Sequence, residues 1–198
     1  MGTMKYIALF IIFIPLLFSC RNKSTPKPRG FFRIDFPDKN YRTINKDLPY
    51  KFQIPLYAEV EPDLENPGKQ NWINISVPKN KADIHISYYN INNDSVSPRT
   101  MLARFIEESR KLAYKHSIRA SGIEEQMFLN PGKNVFGTVY KIKGNAASPM
   151  QFYLTDSINH FLRGALYIRA TPDIDSLKPV IGFLEKDIIR IIETTSWN

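Results

Sequence analysis

After Gly122 the chain alternates apolar and polar residues through four successive stretches, 123–129, 134–143, 150–156 and 160–170. Side chains on a strand point alternately to opposite faces, so a period of two reads as β structure. The stretches are separated by short segments built on Pro131-Gly132, Gly144-Asn145 and Ser157-Ile158-Asn159, residue types that favour tight turns. Connections this short leave no room for a crossover, so neighbouring strands must run antiparallel. No other feature of the chain restricts the fold as strongly.

The same alternation recurs upstream at 31–37, 50–54, 72–77 and 83–89. Pro37-Asp38-Lys39-Asn40 reads as a turn, and Pro55 and Pro78 stop the second and third stretches. Two segments change to the helical period. The first opens with Ser97 as N-cap and Pro98 at the first helical position, where a missing N–H is harmless. Leu102, Phe105, Ile106, Leu112 and Ala113 make its apolar stripe, with Glu107 one turn before Lys111. Ser109 and His116 lie on that stripe, as close helix–sheet packing and a hydrogen-bonded histidine require. The second helix spans 175–194, with Pro179 near its first turn. Leu177, Val180, Ile181, Leu184, Ile188, Ile191 and Ile192 form its apolar face, so Leu184 and Ile188 are expected in the core. Phe136 and Tyr140 against Val135 and Val139 put large residues on both faces of one strand, which calls for cover on both sides. The expected fold is α+β: a mostly antiparallel sheet flanked by two long helices, similar in element order to the Mog1/PsbP-like domains.

The N-terminus carries a different signal. Lys5 precedes thirteen consecutive residues, Tyr6 to Phe18, that are apolar apart from Pro15. At 1.5 Å per residue this stretch spans about 20 Å, short of the roughly 30 Å hydrocarbon core of a bilayer. It reads as a signal-peptide core and not as a membrane span. Leu17-Phe18-Ser19-Cys20 resembles the bacterial lipobox, which places the cut before Cys20 and a diacylglycerol and an N-acyl chain on it. Two or more acyl chains are needed for stable anchoring, because each buried CH₂ contributes only about 0.8 kcal/mol. The chain is therefore expected to divide into a leader at 1–19, a lipidated cysteine and basic, proline-containing tether at 20–30, and one globular domain at 31–198. No aspartate follows Cys20 closely. For lipoproteins in general that argues against retention in the inner membrane, and with no acidic surface-export tract present the periplasmic side of the outer membrane is expected.

Twenty-seven basic against nineteen acidic residues give a net charge of +8, but the basic residues are scattered and form no nucleic-acid fingerprint. Nucleic acid is not an expected partner. A single cysteine excludes an intrachain disulfide. His85, His116 and His160 show no metal-ligand spacing, so no metal or cofactor is expected beyond the lipid on Cys20. Asp156, Ser157 and His160 contain the residue types of a hydrolase triad, yet they crowd one turn and lack the strained elbow that presents a nucleophilic serine. A turn stabilised by local hydrogen bonds explains them better. Glu124 and Glu125 are adjacent and on a strand point to opposite faces, which prevents them from acting as a carboxylate pair. No catalytic constellation is expected.

Two long blocks carry a resemblance. One is Pro28-Arg29-Gly30-Phe31-Phe32-Arg33-Ile34-Asp35-Phe36-Pro37-Asp38-Lys39-Asn40-Tyr41; the other runs from Tyr140 to Tyr167 and includes Gly144-Asn145-Ala146-Ala147-Ser148-Pro149. Both resemble the gliding-motility lipoprotein GldD family of Bacteroidota, with Phe32 and Asp38 as mild departures from its pattern. The resemblance implies a periplasm-facing lipoprotein linked to type IX secretion, with other envelope proteins of that machinery as partners and no catalytic residues. A non-enzymatic scaffold is the first expectation, and a peptidoglycan-binding or peptidoglycan-modifying protein the alternative. For a docking face the candidates are Phe161, Arg163 and Tyr167, which share one side of a strand, with Asp156 and His160 at its edge. Against this, the aromatics can pack under a helix while the arginine reaches water.

Overall fold

The computed structural model of the chain describes residues 33–44, 47–92, 96–115, 119–170 and 173–198. Cys20, the leader, the tether and His116 lie outside them. Among the described residues eleven strands are formed: β1 (Tyr41–Thr43), β2 (Tyr50–Lys51), β3 (Gln53–Pro55), β4 (Glu59–Pro62), β5 (Ile73–Val77), β6 (Ala82–Asn90), β7 (Ala120–Asn130), β8 (Val135–Gly144), β9 (Met150–Thr155), β10 (His160–Ile168) and β11 (Ser196–Trp197). Helix α1 covers Pro98–Tyr114 and α2 covers Ile174–Thr194.

Seven strands make one sheet in the order β4-β5-β6-β10-β9-β8-β7. All its pairings are antiparallel, as the short turns demanded. Two meanders, β4 to β6 and β7 to β10, meet where β10 pairs with β6 from His160↔Asn90 to Ile168↔Ala82. Helix α1 carries the chain from the end of the first meander to the far edge of the second. It starts as the sequence indicates, with Ser97 Oγ accepting from Thr100 N.

The period of two then divides the residues between two cores. On one face, Ile73, Ile84, Ile86, Val135, Val139, Met150, Phe152, Leu154, Leu162 and Leu166 pack against Val180, Leu184, Ile188, Ile191 and Ile192 of α2. On the other, Tyr140, Ile142, Tyr153 and Phe161 pack against Met101 and Ala113 of α1, with Phe105 and Ile106 half-buried beside them. Ser109 is buried there, as expected for a helix lying close to the sheet. The ring of Phe152 sits over its register partner Gly164, where an added Cβ would come within 2.2 Å of ring atoms. The result is an α+β sandwich with a helix on each side of an antiparallel sheet. Residues Ile34–Asn198 form one compact unit.

Two expected strands turn out differently. Residues 33–40 form no strand, because their apolar side chains are drawn to α2: Phe36 stacks on Phe183 at 4.3 Å. The stretch 50–54 breaks at Phe52, whose carbonyl accepts from Ile44 N. Its first part, β2, pairs with β11, and its second part, β3, pairs with β1. Phe52 itself is buried in the α2-side core.

Candidate functional site

The β9–β10 turn is built around a carboxylate. Asp156 Oδ1 accepts from three backbone N–H groups, those of Ile158, Asn159 and His160, at 2.8–2.9 Å. Ser157 takes a left-handed φ of 68°, and its N–H donates to Thr155 Oγ1. His160 is held from two sides: its Nδ1 shares a 2.8 Å hydrogen bond with the Tyr88 hydroxyl, and its ring stacks on Trp197 at 4.9 Å. Burial pushes the His160 pKa below the ordinary histidine value, with Asp156 nearby opposing the shift. Asp156 thus serves the turn, and His160 faces Tyr88 and Trp197.

Along β10 the candidate docking set separates. Phe161 is buried beneath α1, stacked between Phe105 and Tyr153 at 5.3 and 5.4 Å. Arg163 is half-buried, and its Nη2 donates to Gln151 Oε1 at 2.7 Å. Burial lowers the Arg163 pKa, while Tyr167, Tyr89 and Glu108 oppose it. Arg163 Nε and Gln151 Nε2 are buried with no partner. Tyr167 is half-buried and meets His85 edge to face at 5.2 Å. Of the set, Arg163 and Tyr167 keep partial exposure, and Phe161 has no surface to offer. Glu124 and Glu125 do take opposite faces: Glu124 pairs with Lys143 at 3.0 Å, and Glu125 accepts from the Tyr114 hydroxyl of α1 at 2.6 Å.

The most connected polar cluster has no local sequence motif. Asp187 of α2 is 0% exposed. It accepts from the Tyr57 hydroxyl at 2.5 Å, from Lys39 Nζ at 2.7 Å and from the Tyr41 hydroxyl at 3.1 Å. Lys39 also donates to Phe183 O at 3.0 Å and lies 3.2 Å from the centre of the Phe183 ring. Desolvation lowers the Lys39 pKa, and its bond to Asp187 opposes that. Burial, then Asp187, raises Tyr41 to about 12. A signal existed in the sequence: Asp187 falls between Leu184 and Ile188 on the apolar stripe, where a lone carboxylate must find partners or neutralise. Its partners Lys39 and Tyr41 lie in the first family-like block, so the described part of that block, residues 34–41, acts as a strap fastened to α2.

An open groove of about 370 Å³ lies between the loop before β5 and the end of β6, lined by Lys69, Gln70, Asn71, Trp72, Tyr89 and Phe105 among others. Trp72 meets Tyr89 edge to face at 5.4 Å, and Tyr89 meets Phe105 at 4.4 Å. Among the described residues no group of three or more His, Cys, Asp or Glu is placed to hold a metal ion. No helix among them is long and apolar enough to cross a membrane.

Fold and sites together define an α+β sandwich domain whose buried polar groups fasten its own elements to one another. The family model of the gliding motility lipoprotein GldD matches residues 21–197. The chain belongs to that family, and is a lipoprotein associated with gliding motility. Among solved structures it is similar to cyanobacterial PsbP (CyanoP) from Synechocystis, at 10% identity and a TM-score of 0.46, covering 82% of this chain and 95% of that one. No curated protein matches it.

Proposed function

We propose that this protein is a non-enzymatic scaffold, exported by its leader and held by lipid on Cys20 at the periplasmic face of the outer membrane. There it stabilises envelope complexes of gliding motility that are linked to type IX secretion. One observation carries the reading: the side chains that catalysis would draw on are committed to the fold. Asp156 Oδ1 binds three backbone N–H groups, His160 Nδ1 meets Tyr88, and Asp187 binds Lys39, Tyr41 and Tyr57. The protein needs no cofactor beyond its lipid, and its partners are proteins and membrane lipid, with no nucleic acid. Crosslinking in native membranes followed by affinity capture tests the scaffold. The same few envelope proteins should be recovered repeatedly, and recovery of none sinks the idea. Cys20→Ser should release the chain from membranes; continued partition into detergent after leader removal means that the anchor lies elsewhere.

The groove beside Trp72 favours one second reading, a glycan binder. Aromatic rings with the amides of Gln70 and Asn71 and a lysine suit the apolar faces and hydroxyls of a sugar. Sedimentation with purified peptidoglycan distinguishes the two readings, since a pure scaffold stays in the supernatant.

A further inference from the structure

The sheet has two edges, and they are protected unequally. A free edge exposes unpaired backbone N–H and C=O groups, which only another extended chain can satisfy in register. At one edge, β4 is four residues long, carries Glu59 and Glu61 and ends at Pro62. Charge, brevity and proline all discourage pairing there. At the other edge, β7 runs for eleven residues. Its first half is guarded by a register irregularity between Ala120 and Gly122 and by Glu124 and Glu125. Its second half, Gln126-Met127-Phe128-Leu129-Asn130, carries no charge. Met127 and Leu129 stand on one face of it, 77% and 66% exposed. They lie past Glu125, the β7 residue that α1 reaches through Arg110 and Tyr114.

We propose that residues 126–130 of β7 pair antiparallel with the same segment of a second copy, joining the two sheets about a two-fold axis at Phe128. This rests on the scaffold reading and deepens it by naming a self-association surface. Of the registers centred on residues 126, 127 and 128, the last alone keeps Glu124 and Glu125 away from Phe128 and Leu129. Met127 then faces Leu129 of the other copy, and Gln126 faces Asn130, so apolar meets apolar and amide meets amide. A two-fold axis one residue earlier would set Glu125 against Leu129, and one two residues earlier would set Glu124 against Phe128. Centred on Phe128, each Glu125 instead falls opposite Pro131, which has no N–H and ends the ladder. The twofold operator also keeps both α1 layers on the same side, so that the two Met127–Leu129 pairs merge into one apolar cluster. Five residues per copy bury less than the roughly 1,200–2,000 Å² of a tight complex, so the dimer dissociates on dilution and depends on co-localisation in a membrane.

The test uses the full chain in native membranes. In a Met127→Cys/Leu129→Cys variant each new thiol faces one of the other copy, so mild oxidation should give a dimer whose joined peptides both contain residues 120–133. The native chain, with Cys20 only, gives the background, and Glu124→Cys in the guarded half should not exceed it. Met127→Lys/Leu129→Lys alters two exposed side chains, so thermal unfolding should stay unchanged. The dimer population of this variant, read by lysine-independent chemical crosslinking in the same membranes, should fall more than about tenfold, because like charges then face each other across the pair. Crosslinks no stronger than background, crosslinks equally strong at Glu124→Cys, or capture of a different chain each overturn the proposal. A protein that captures envelope partners yet stays monomeric defeats this inference and leaves the scaffold standing. One that dimerises but captures nothing does the reverse.

Discussion

Each face of the sheet holds a charged side chain wholly or largely out of water, Asp187 buried and Arg163 half-buried, and the two faces treat it differently. On the α2 side, Asp187 receives Lys39, Tyr57 and Tyr41 around its two oxygens. On the α1 side, Arg163 bonds Gln151 and the neighbouring Tyr167 of its own strand but leaves its own Nε and the Gln151 Nε2 unpartnered. A buried charge is tolerable when its attraction and hydrogen bonds offset desolvation, and becomes a burden when they do not. The difference separates a clasp from a compromise: Asp187 joins three chain segments far apart in sequence, whereas Arg163 reaches one strand over. The α2 side is thus the part that determines whether the domain is closed.

Removing the clasp should rank among the largest effects. Asp187→Ala removes the counter-charge of Lys39, which keeps Phe183 O, and the acceptor of two tyrosine hydroxyls. With Lys39 partly exposed, the cost should be about 2–4 kcal/mol, at the lower side of that for breaking a buried pair. Urea unfolding followed by circular dichroism reads this directly. A loss below about 1 kcal/mol, on the scale of an ordinary neutral hydrogen bond, would erase the contrast between the faces.

The apolar layers extend the same comparison. Leu184 is fully buried on α2, whereas Ile106 on α1 is half-buried. Leu184→Ala should cost about 2–5 kcal/mol. Ile106→Ala should cost about 1 kcal/mol, because it forfeits only part of a full transfer energy. Equal losses would mean that α1 is as integral to the core as α2.

These contrasts follow what sequence could and could not reveal. The seven apolar positions assigned to α2 all sit in or against the core, because a 3.6-residue period reports burial directly. The four strands after Gly122 were equally readable, since short turns leave one pairing mode. Residues 33–40 misled because alternation marks which side chains are buried and not what they are buried against; Phe36 stacks on a helix residue 147 positions later. Strand β4 gives a weak signal because Val60 is its single large apolar residue, set between Glu59 and Glu61 and followed by Pro62. Asp187 was visible as a breach in an apolar stripe, but its partners come from Lys39, Tyr41 and Tyr57, which no local pattern links to it. At the candidate docking face, sequence could place Phe161, Arg163 and Tyr167 on one side of β10. It could not show that α1 lies over Phe161.

Arg163 tests the other half of the comparison. Since its charge is only partly compensated, Arg163→Met keeps the packing of the side-chain stem and removes the desolvated guanidinium. The change in stability should stay within about 1 kcal/mol, and a gain is compatible with it. A loss comparable with that of Asp187→Ala would make Arg163 a clasp as well, and would imply that the orphaned nitrogens of Arg163 and Gln151 are satisfied in solution.

The smallest effect belongs to His160, at the end of the α2-side core. The fold lowers its pKa by burial, so the folded chain takes up this proton at lower pH than the unfolded chain, whose value is near 6.5. Between the two values the unfolded state holds more protons, and stability therefore falls as the pH drops through that window. Above it the contribution is level. Denaturant midpoints at pH 7.5 and pH 5.5 should show a loss at the lower pH, smaller than any of the losses above, and His160→Gln should flatten it. One interaction works in the opposite sense: an imidazolium stacked on the Trp197 ring, 4.9 Å away and within 4° of parallel, gains cation–π attraction. If burial dominates, Trp197→Leu deepens the acid loss by removing that compensation. If the native chain instead gains stability on acidification and Trp197→Leu abolishes the gain, the indole outweighs burial, and this end of the α2 side accommodates charge as readily as the α1 side does.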